Sequence, residues 1–238
     1  MPDIAIVNID KREVLDSVQT GHGYKMKEAI GNRMPLDFMW LFAHPVDGQA
    51  APPPSSVVAQ PWYGSPASRV PIGHWAGDRV LIVDEYCGTA SGNLPQDLIH
   101  AYPAADPQDD VLQFALSQLK HVDMPGYERA EDDKLFPSDR IWIVRNHTEK
   151  WFARDDALVN AKHRKGPDVG TGFGLGDFIW SQIGGGMNGN ECIGHRFDVT
   201  TLDKAKDKEE WKDESAKATG WLYEFRMEND DVVDCYDY

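Results

Sequence analysis

Apolar, β-branched residues flank a short polar stretch in "IAIVNIDKREVL", Ile4 to Leu15. Ile4, Ile6 and Val7 supply strand-forming bulk, Asp10-Lys11 sits where a hairpin turns, and a second short strand follows. The pattern returns in "IWIVRNHTEKWF", Ile141 to Phe152, with Ile4 against Ile141 and Ile6-Val7 against Ile143-Val144. Next, "GHGYKMKEAI" (Gly21 to Ile30) and "GTGFGLGDFI" (Gly170 to Ile179) share a Gly-x-Gly-aromatic turn, and each leads into an apolar segment, "LDFMWLFAH" or "IWSQIGGG". Each series closes on a Gly-His corner that enters a strand: "IGHWAGDRVLIVDEY", Ile72 to Tyr86, and "IGHRFDVTTLDK", Ile193 to Lys204. Three blocks in the same order predict an internal duplication.

Helical spacing marks two further segments. "DDVLQFALSQLKHV", Asp109 to Val122, places Val111, Leu112, Ala115, Leu116 and Leu119 on one face, with Asp109 or Asp110 as cap. "DKEEWKDESAKATG", Asp207 to Gly220, reads as a more polar helix anchored by Trp211 and stopped by Gly220. The expected architecture is α+β, two similar units joined face to face, each of β-hairpin, Gly-aromatic turn, apolar segment, corner strand and helix. Unit one spans 1–122, with a proline-rich insertion at 47–71. A linker follows at 123–138, and unit two spans 139–238 with C-terminal strands.

Composition then narrows the classes. With 41% hydrophobic residues and eight tryptophans in 238 residues, the chain can bury a core without staples. A net charge of -15 repels phosphate backbones and anionic lipid, so nucleic acid and membrane surfaces are not expected partners. No apolar run is long enough to span a bilayer, and "MPDIAIVNIDKREVL" lacks the form of a secretory signal. Cys87, Cys192 and Cys235 are odd in number and scattered, which fits free thiols and a cytoplasmic setting.

The corners hold the candidate chemistry. His74 and Asp78 lie four apart, and His195 precedes Asp198 by three. If the units pack about a pseudo-two-fold axis, these two His and two Asp can converge as a divalent-metal cluster or as a base with its orienting carboxylate. The other reading is structural: Asp78 and Asp198 accept hydrogen bonds from turn N–H groups or from Arg79 and Arg196. Recurrence favours it, because a corner must recur in both units and a reaction centre need not. "GTGFGLGD" lacks the third glycine of a dinucleotide loop, and Cys192 lacks a second Cys/His pair for zinc. Trp40, Trp142 and Trp180 lie in apolar runs and read as core. Trp62, Tyr63 and Trp75 lie in the insertion and on the corner, where aromatic faces can contact a small molecule, a carbohydrate or a protein.

"GHRFDVTTLDK" followed by "WKDES" resembles a motif of a family of uncharacterised, mainly fungal proteins, with a pattern V-W-A-G-H-R-F-D-I-T-T-L-D and then W-K-D-V-S. "HWAGDRVLIVDEY" is similar to the same corner with Asp in place of His. "VRNHTEKWF" is similar to the strand-turn segment "VNHTKKEY" that precedes it. The resemblance covers most of unit two and part of unit one, departs where Ile193-Gly194 replaces Trp-Ala-Gly, and implies a fold family with no assigned catalytic residues. The expected function is an intracellular, non-catalytic ligand- or partner-binding protein without a cofactor. The alternative is a metal-assisted hydrolase or lyase using His74, Asp78, His195 and Asp198.

Overall fold

Two hairpins organise the chain. The computed structural model describes residues 4–16, 39–45, 68–84, 111–123, 136–137, 139–158, 173–183, 194–205 and 210–218. Strands β1 (Ile4–Asn8) and β2 (Glu13–Asp16) pair antiparallel, with Asn8 opposite Glu13. Asn8 Oδ1 closes the turn by accepting Lys11 N–H at 2.8 Å, and Arg12 takes φ 55°. Two-residue β3 (Ser68–Arg69) lies at one end of the sheet and β4 (Val80–Asp84) at the other, antiparallel to β1. Helix α1 (Val111–Gln118) leads into β5 (Lys120–Asp123), which runs parallel to β2 and β3. The order is β3-β5-β2-β1-β4.

The second sheet repeats four of these placements. Strands β6 (Trp142–Asn146) and β7 (Trp151–Arg154) form an antiparallel hairpin, with Asn146 opposite Trp151. Short α2 (Asp155–Leu158) follows directly, then α3 (Phe173–Ile183). Strand β8 (Phe197–Thr201) pairs antiparallel with β6, and β9 (Lys212–Asp213) parallel with β7. The order β8-β6-β7-β9 is that of β4-β1-β2-β5, with the same strand senses. The chain is α+β, with helices alongside two mixed sheets.

The correspondence reaches single residues. Asn146 Oδ1 caps its turn through Glu149 N–H at 3.1 Å, as Asn8 does through Lys11, and Lys150 takes φ 60° where Arg12 takes 55°. Asn8 faces Val80 and Asn146 faces Phe197 across the neighbouring strand. Ile9 N–H donates to Arg79 O at 2.9 Å and His147 N–H to Arg196 O at 2.8 Å. Ile4 therefore corresponds to Trp142, one residue on from the Ile141 that apolar pattern alone selects. The difference is consequential, because a one-residue slip exchanges the two faces of a strand. In the observed register Val7, Ile9 and Leu81 correspond to Arg145, His147 and Asp198. Asp78 corresponds to His195, not to Asp198.

One core runs between the halves. It takes Ile4, Ile6, Leu15, Val80 and Ile82 from the first sheet, and Trp142, Val144, Trp151, Phe197 and Val199 from the second. Trp40 and Phe42, and from α3 Leu175, Phe178, Ile179 and Ile183, join the same core. Helix α3 packs on β4 as well as β6, while Ala43 bridges to Val199 of β8. Trp40 and Trp142 are fully buried, as their apolar runs predict.

Three local expectations change. The Gly-aromatic segment at 173–179 is helical, because Leu175, Phe178 and Ile179 reach the core at helical spacing. Residues 120–122 form a strand and not the end of a helix, since Lys120 N–H bonds Arg12 O at 3.1 Å in the sheet. The polar segment around Trp211 contains β9 and a single helical turn at 215–218, because Ser215 bonds Asp213 and Lys212 N–H pairs with Lys150 O at 3.0 Å. The segments 21–30 and 219–238 and most of 47–71 lie outside the described residues.

Candidate functional site

The first corner turns on glycine geometry. Gly73 has φ +74°, and a Cβ there would stand 2.7 Å from Ala43 O. That close approach lets Gly73 N–H donate to Trp40 O at 2.7 Å and Trp75 N–H to Leu41 O at 2.8 Å, fastening the corner to the helical residues 39–42. Trp75 is fully buried, so it is not the exposed aromatic face expected from its position. Its Nε1–H donates to Glu13 Oε2 at 2.9 Å, and His74 Nε2 meets the same oxygen at 2.8 Å. Lys120 Nζ completes the set at 3.2 Å from Oε1. Burial opposes ionisation of Glu13, but the hydrogen bonds from Trp75, Lys120 and His74 hold its carboxyl below the ordinary glutamate value.

Asp78 accepts from Asn8 Nδ2 at 2.8 Å and pairs with Lys11. His195 occupies the corresponding place: Asn146 Nδ2 meets its Nδ1 at 2.9 Å. Asn146 Oδ1 already accepts Thr148 and Glu149 N–H, so its amide donates and His195 Nδ1 accepts. Burial lowers the His195 pKa, against the pull of Glu149, and favours that neutral ring. Asp78 and His195 thus perform one task, accepting the amide of the asparagine that closes the neighbouring hairpin. Arg79 and Arg196 do not serve the corner carboxylates. Both bind Asp10, at 2.9 and 2.6 Å, and Arg196 Nη1 also donates to Gly77 O at 3.0 Å. Asp10 ties the two corners together.

Asp198 differs in kind. Its side chain is 3% exposed and it lies opposite Arg145 across β8 and β6. Arg145 donates to both carboxylate oxygens, Nε to Oδ1 at 2.7 Å and Nη2 to Oδ2 at 2.6 Å. Two imidazoles converge on Oδ2: His44 Nε2 at 2.9 Å, reached because His44 N–H is fixed to Val199 O, and His147 Nε2 at 2.9 Å. One carboxylate oxygen cannot satisfy three N–H groups. His147 Nε2, buried and close, has no well-directed hydrogen bond. Burial opposes the charge on Asp198, yet the His147 and His44 rings and the Arg145 guanidinium hold its pKa well below the carboxylate range. A neighbouring wall is Trp211, with His147 edge-on at 5.1 Å, the Arg145 guanidinium carbon at 5.5 Å and Lys150 Nζ at 5.0 Å from the ring centre.

This cluster has no counterpart in the first sheet. There Val7, Ile9, Leu81 and Leu119 stand at the positions of Arg145, His147, Asp198 and Trp211, and Val111, Leu112 and Ala115 of α1 cover them. In the second sheet residues 202–211 join β8 to β9 where residues 85–119, α1 among them, join β4 to β5. Ile143, Phe152, Ala205, Leu202 and Trp211 pack at one side of the face, and His44 remains about half exposed.

His74, Asp78, His195 and Asp198 therefore keep separate partners, and the four-ligand cluster is not assembled. Among the described residues no group of three or more His, Cys, Asp and Glu side chains is arranged to hold a metal ion. No described helix is long and apolar enough to cross a membrane. Trp62, Tyr63 and the three cysteines lie outside the described residues. Sequence reasoning named Asp198 but missed His44, Arg145, His147 and Lys150, and took Trp211 only as a helix anchor. The legible signal was charge of opposite sign inside two adjacent apolar strands, "WIVRN" and "FDVTT". Comparison with protein-family models, with curated proteins and with solved structures returned no match.

Proposed function

We propose that the chain is a non-catalytic binding protein built from two copies of one unit, with its ligand seated on the Arg145–Asp198 face of the second sheet. The single observation that carries this reading is the difference between corresponding faces. Structural needs are met in both halves by the same devices: the Asn8 and Asn146 turns, and the Asp78 and His195 acceptors. The first sheet shows that Val7, Ile9 and Leu81 suffice at these positions under a covering helix. A desolvated ion pair with two imidazoles is not required by the architecture, and burying one costs desolvation that apolar residues avoid. The segments "VRNHTEKWF", "GHRFDVTTLDK" and "WKDES", which carry the family resemblance, supply Arg145, His147, Lys150, Asp198 and Trp211 and meet on this face.

The test transfers the first face onto the second. The R145V/H147I/D198L variant and the parent are screened by thermal shift against a library of soluble small molecules and sugars. The reading expects ligands that raise the parent's melting temperature and not the variant's. Ligands that stabilise both equally would place the binding surface elsewhere.

A further inference from the structure

The two corners meet with a residue on its own counterpart. Arg79 and Arg196 form an antiparallel bridge, and each N–H is accepted by the residue two places after the turn asparagine. Arg79 N–H goes to Asp10 Oδ2 and Arg196 N–H to Thr148 Oγ1, both at 3.0 Å. A contact between equivalent residues is the mark of a two-fold axis, here running between the corners. Asp10 and Thr148 are equivalent positions on that seam, and they differ in charge. Beyond the ligand face, and resting only on the two-unit reading above, we infer that the seam is a two-fold docking surface for an unlike partner. The Asp10 carboxylate of unit one selects a unit that brings a corner arginine and no carboxylate beside it, which is unit two, and the charge can be supplied from position 10 or from position 148.

Asp10 divides its two oxygens between the units. Oδ1 accepts Arg79 Nε at 2.9 Å and Oδ2 accepts Arg196 Nη1 at 2.6 Å. Burial opposes its charge, but the Arg79 hydrogen bonds and the Arg196 guanidinium hold its carboxyl below the ordinary aspartate value. Gly77 N–H crosses the same seam to Phe197 O at 2.7 Å. Of the neighbouring charges, Lys11 pairs with Asp78, while Glu149 and Lys150 are exposed in the second turn. An unlike pair thus shares one carboxylate between two guanidiniums. Two copies of unit two would set two Arg196 side chains together with a threonine at each carboxylate position, a repulsive arrangement that disfavours exchange of halves between chains. Thr148 keeps the backbone bond without the charge, so capping the corner and holding the partner are separable duties of this position.

The experiment moves the carboxylate across the axis in the full chain, at low ionic strength, and reads thermal melts together with amide exchange at Gly77. D10T keeps an acceptor for Arg79 N–H, as Thr148 does for Arg196, and removes only the charge. It should melt about 2–4 °C below the parent and exchange Gly77 N–H about fivefold faster. D10T/T148D should recover most of both losses, D10T/T148N should recover neither, and high salt should erase the differences. T148D alone, with two carboxylates for two guanidiniums, should be at least as stable as the parent. A D10T chain that melts and exchanges like the parent would overturn the inference, as would a D10T/T148D chain no better than D10T, or rescue by T148N as complete as by T148D. If D10T fails to fold, T148D decides: a loss of stability there overturns the two-fold equivalence. Any of these failures leaves the Arg145–Asp198 face as proposed, because Asp198 is held by Arg145, His44 and His147 and not by the seam.

Discussion

Asp198→Leu alone should be far more damaging than the triple replacement that contains it. The carboxylate is 3% exposed and holds Arg145, itself 18% exposed, by two bonds of 2.7 and 2.6 Å. Removing it leaves a guanidinium with little water and no counter-charge, and breaking a buried pair in this way costs roughly 3–5 kcal/mol. Domains of this size lose about 2–4 °C per kcal/mol, so D198L should melt about 6–20 °C below the parent. R145V/H147I/D198L removes the stranded charge together with its partner and restores the residue types that Val7, Ile9 and Leu81 provide in the first sheet. Exchange of a whole buried pair for apolar residues is near neutral or favourable, so the triple should recover to within about 1 kcal/mol of the parent. His44 loses its partner in both, at small cost, because it is 46% exposed. Urea titration reads both variants, with an unchanged m-value required for the comparison. A D198L chain as stable as the parent would refute the reasoning, as would a triple variant as unstable as D198L.

Other outcomes follow from the same contacts. Burial lifts the Asp155 pKa from 3.8 to about 6 against hydrogen bonds from Asp156 and Trp142 N–H. The folded state then holds a proton that the unfolded chain has lost, so this group's contribution to stability falls as pH rises from about 4 to 6, by up to about 3 kcal/mol. D155N should flatten that part of the stability–pH curve, and a curve unchanged by it would contradict the assignment. Asp198 and Glu13, whose pKa values are lowered, act in the opposite sense: their stabilisation is present above the ordinary carboxylate range and drains away as pH falls below it. Gly73→Ala should cost more than Gly77→Ala in thermal melts, because both have positive φ but only Gly73 would drive a Cβ against Ala43 O at 2.7 Å. Equal losses would show that backbone strain alone sets the penalty.

The hairpins, the corner strands and the buried tryptophans were legible because apolar alternation and turn residues are local signals. Register was not. Ile4 aligns with Ile141 by apolar identity, whereas the turn caps Asn8 and Asn146 set the pairing one residue away. That slip hid the substitution of Arg145 and His147 for Val7 and Ile9. At the corner, matching His74 to His195 by Gly-His identity hid that of Asp198 for Leu81, whereas the resemblance that reads Asp in place of His already set Asp78 against His195, the correspondence the strand pairing gives. The corner question was answered by tertiary partners. Asp78 and Asp198 do accept hydrogen bonds, but from Asn8, Lys11, Arg145 and His44 and not from Arg79 or Arg196. His44 reaches Asp198 from 154 residues away along the chain, a separation that spacing motifs do not sample.

The most direct test of the proposal that function resides on the Arg145–Asp198 face is ligand mapping by NMR. A fragment library is screened against the labelled protein, and shifts are followed at the histidine imidazoles, the tryptophan indoles and the arginine Nε–H groups. The account predicts that hits move His44, His147, Arg145 and Trp211 together and leave the α1-covered face around Val7 and Leu81 still. Hits that gather instead at His74 and Glu13, or that spare His147 and Trp211, would contradict it.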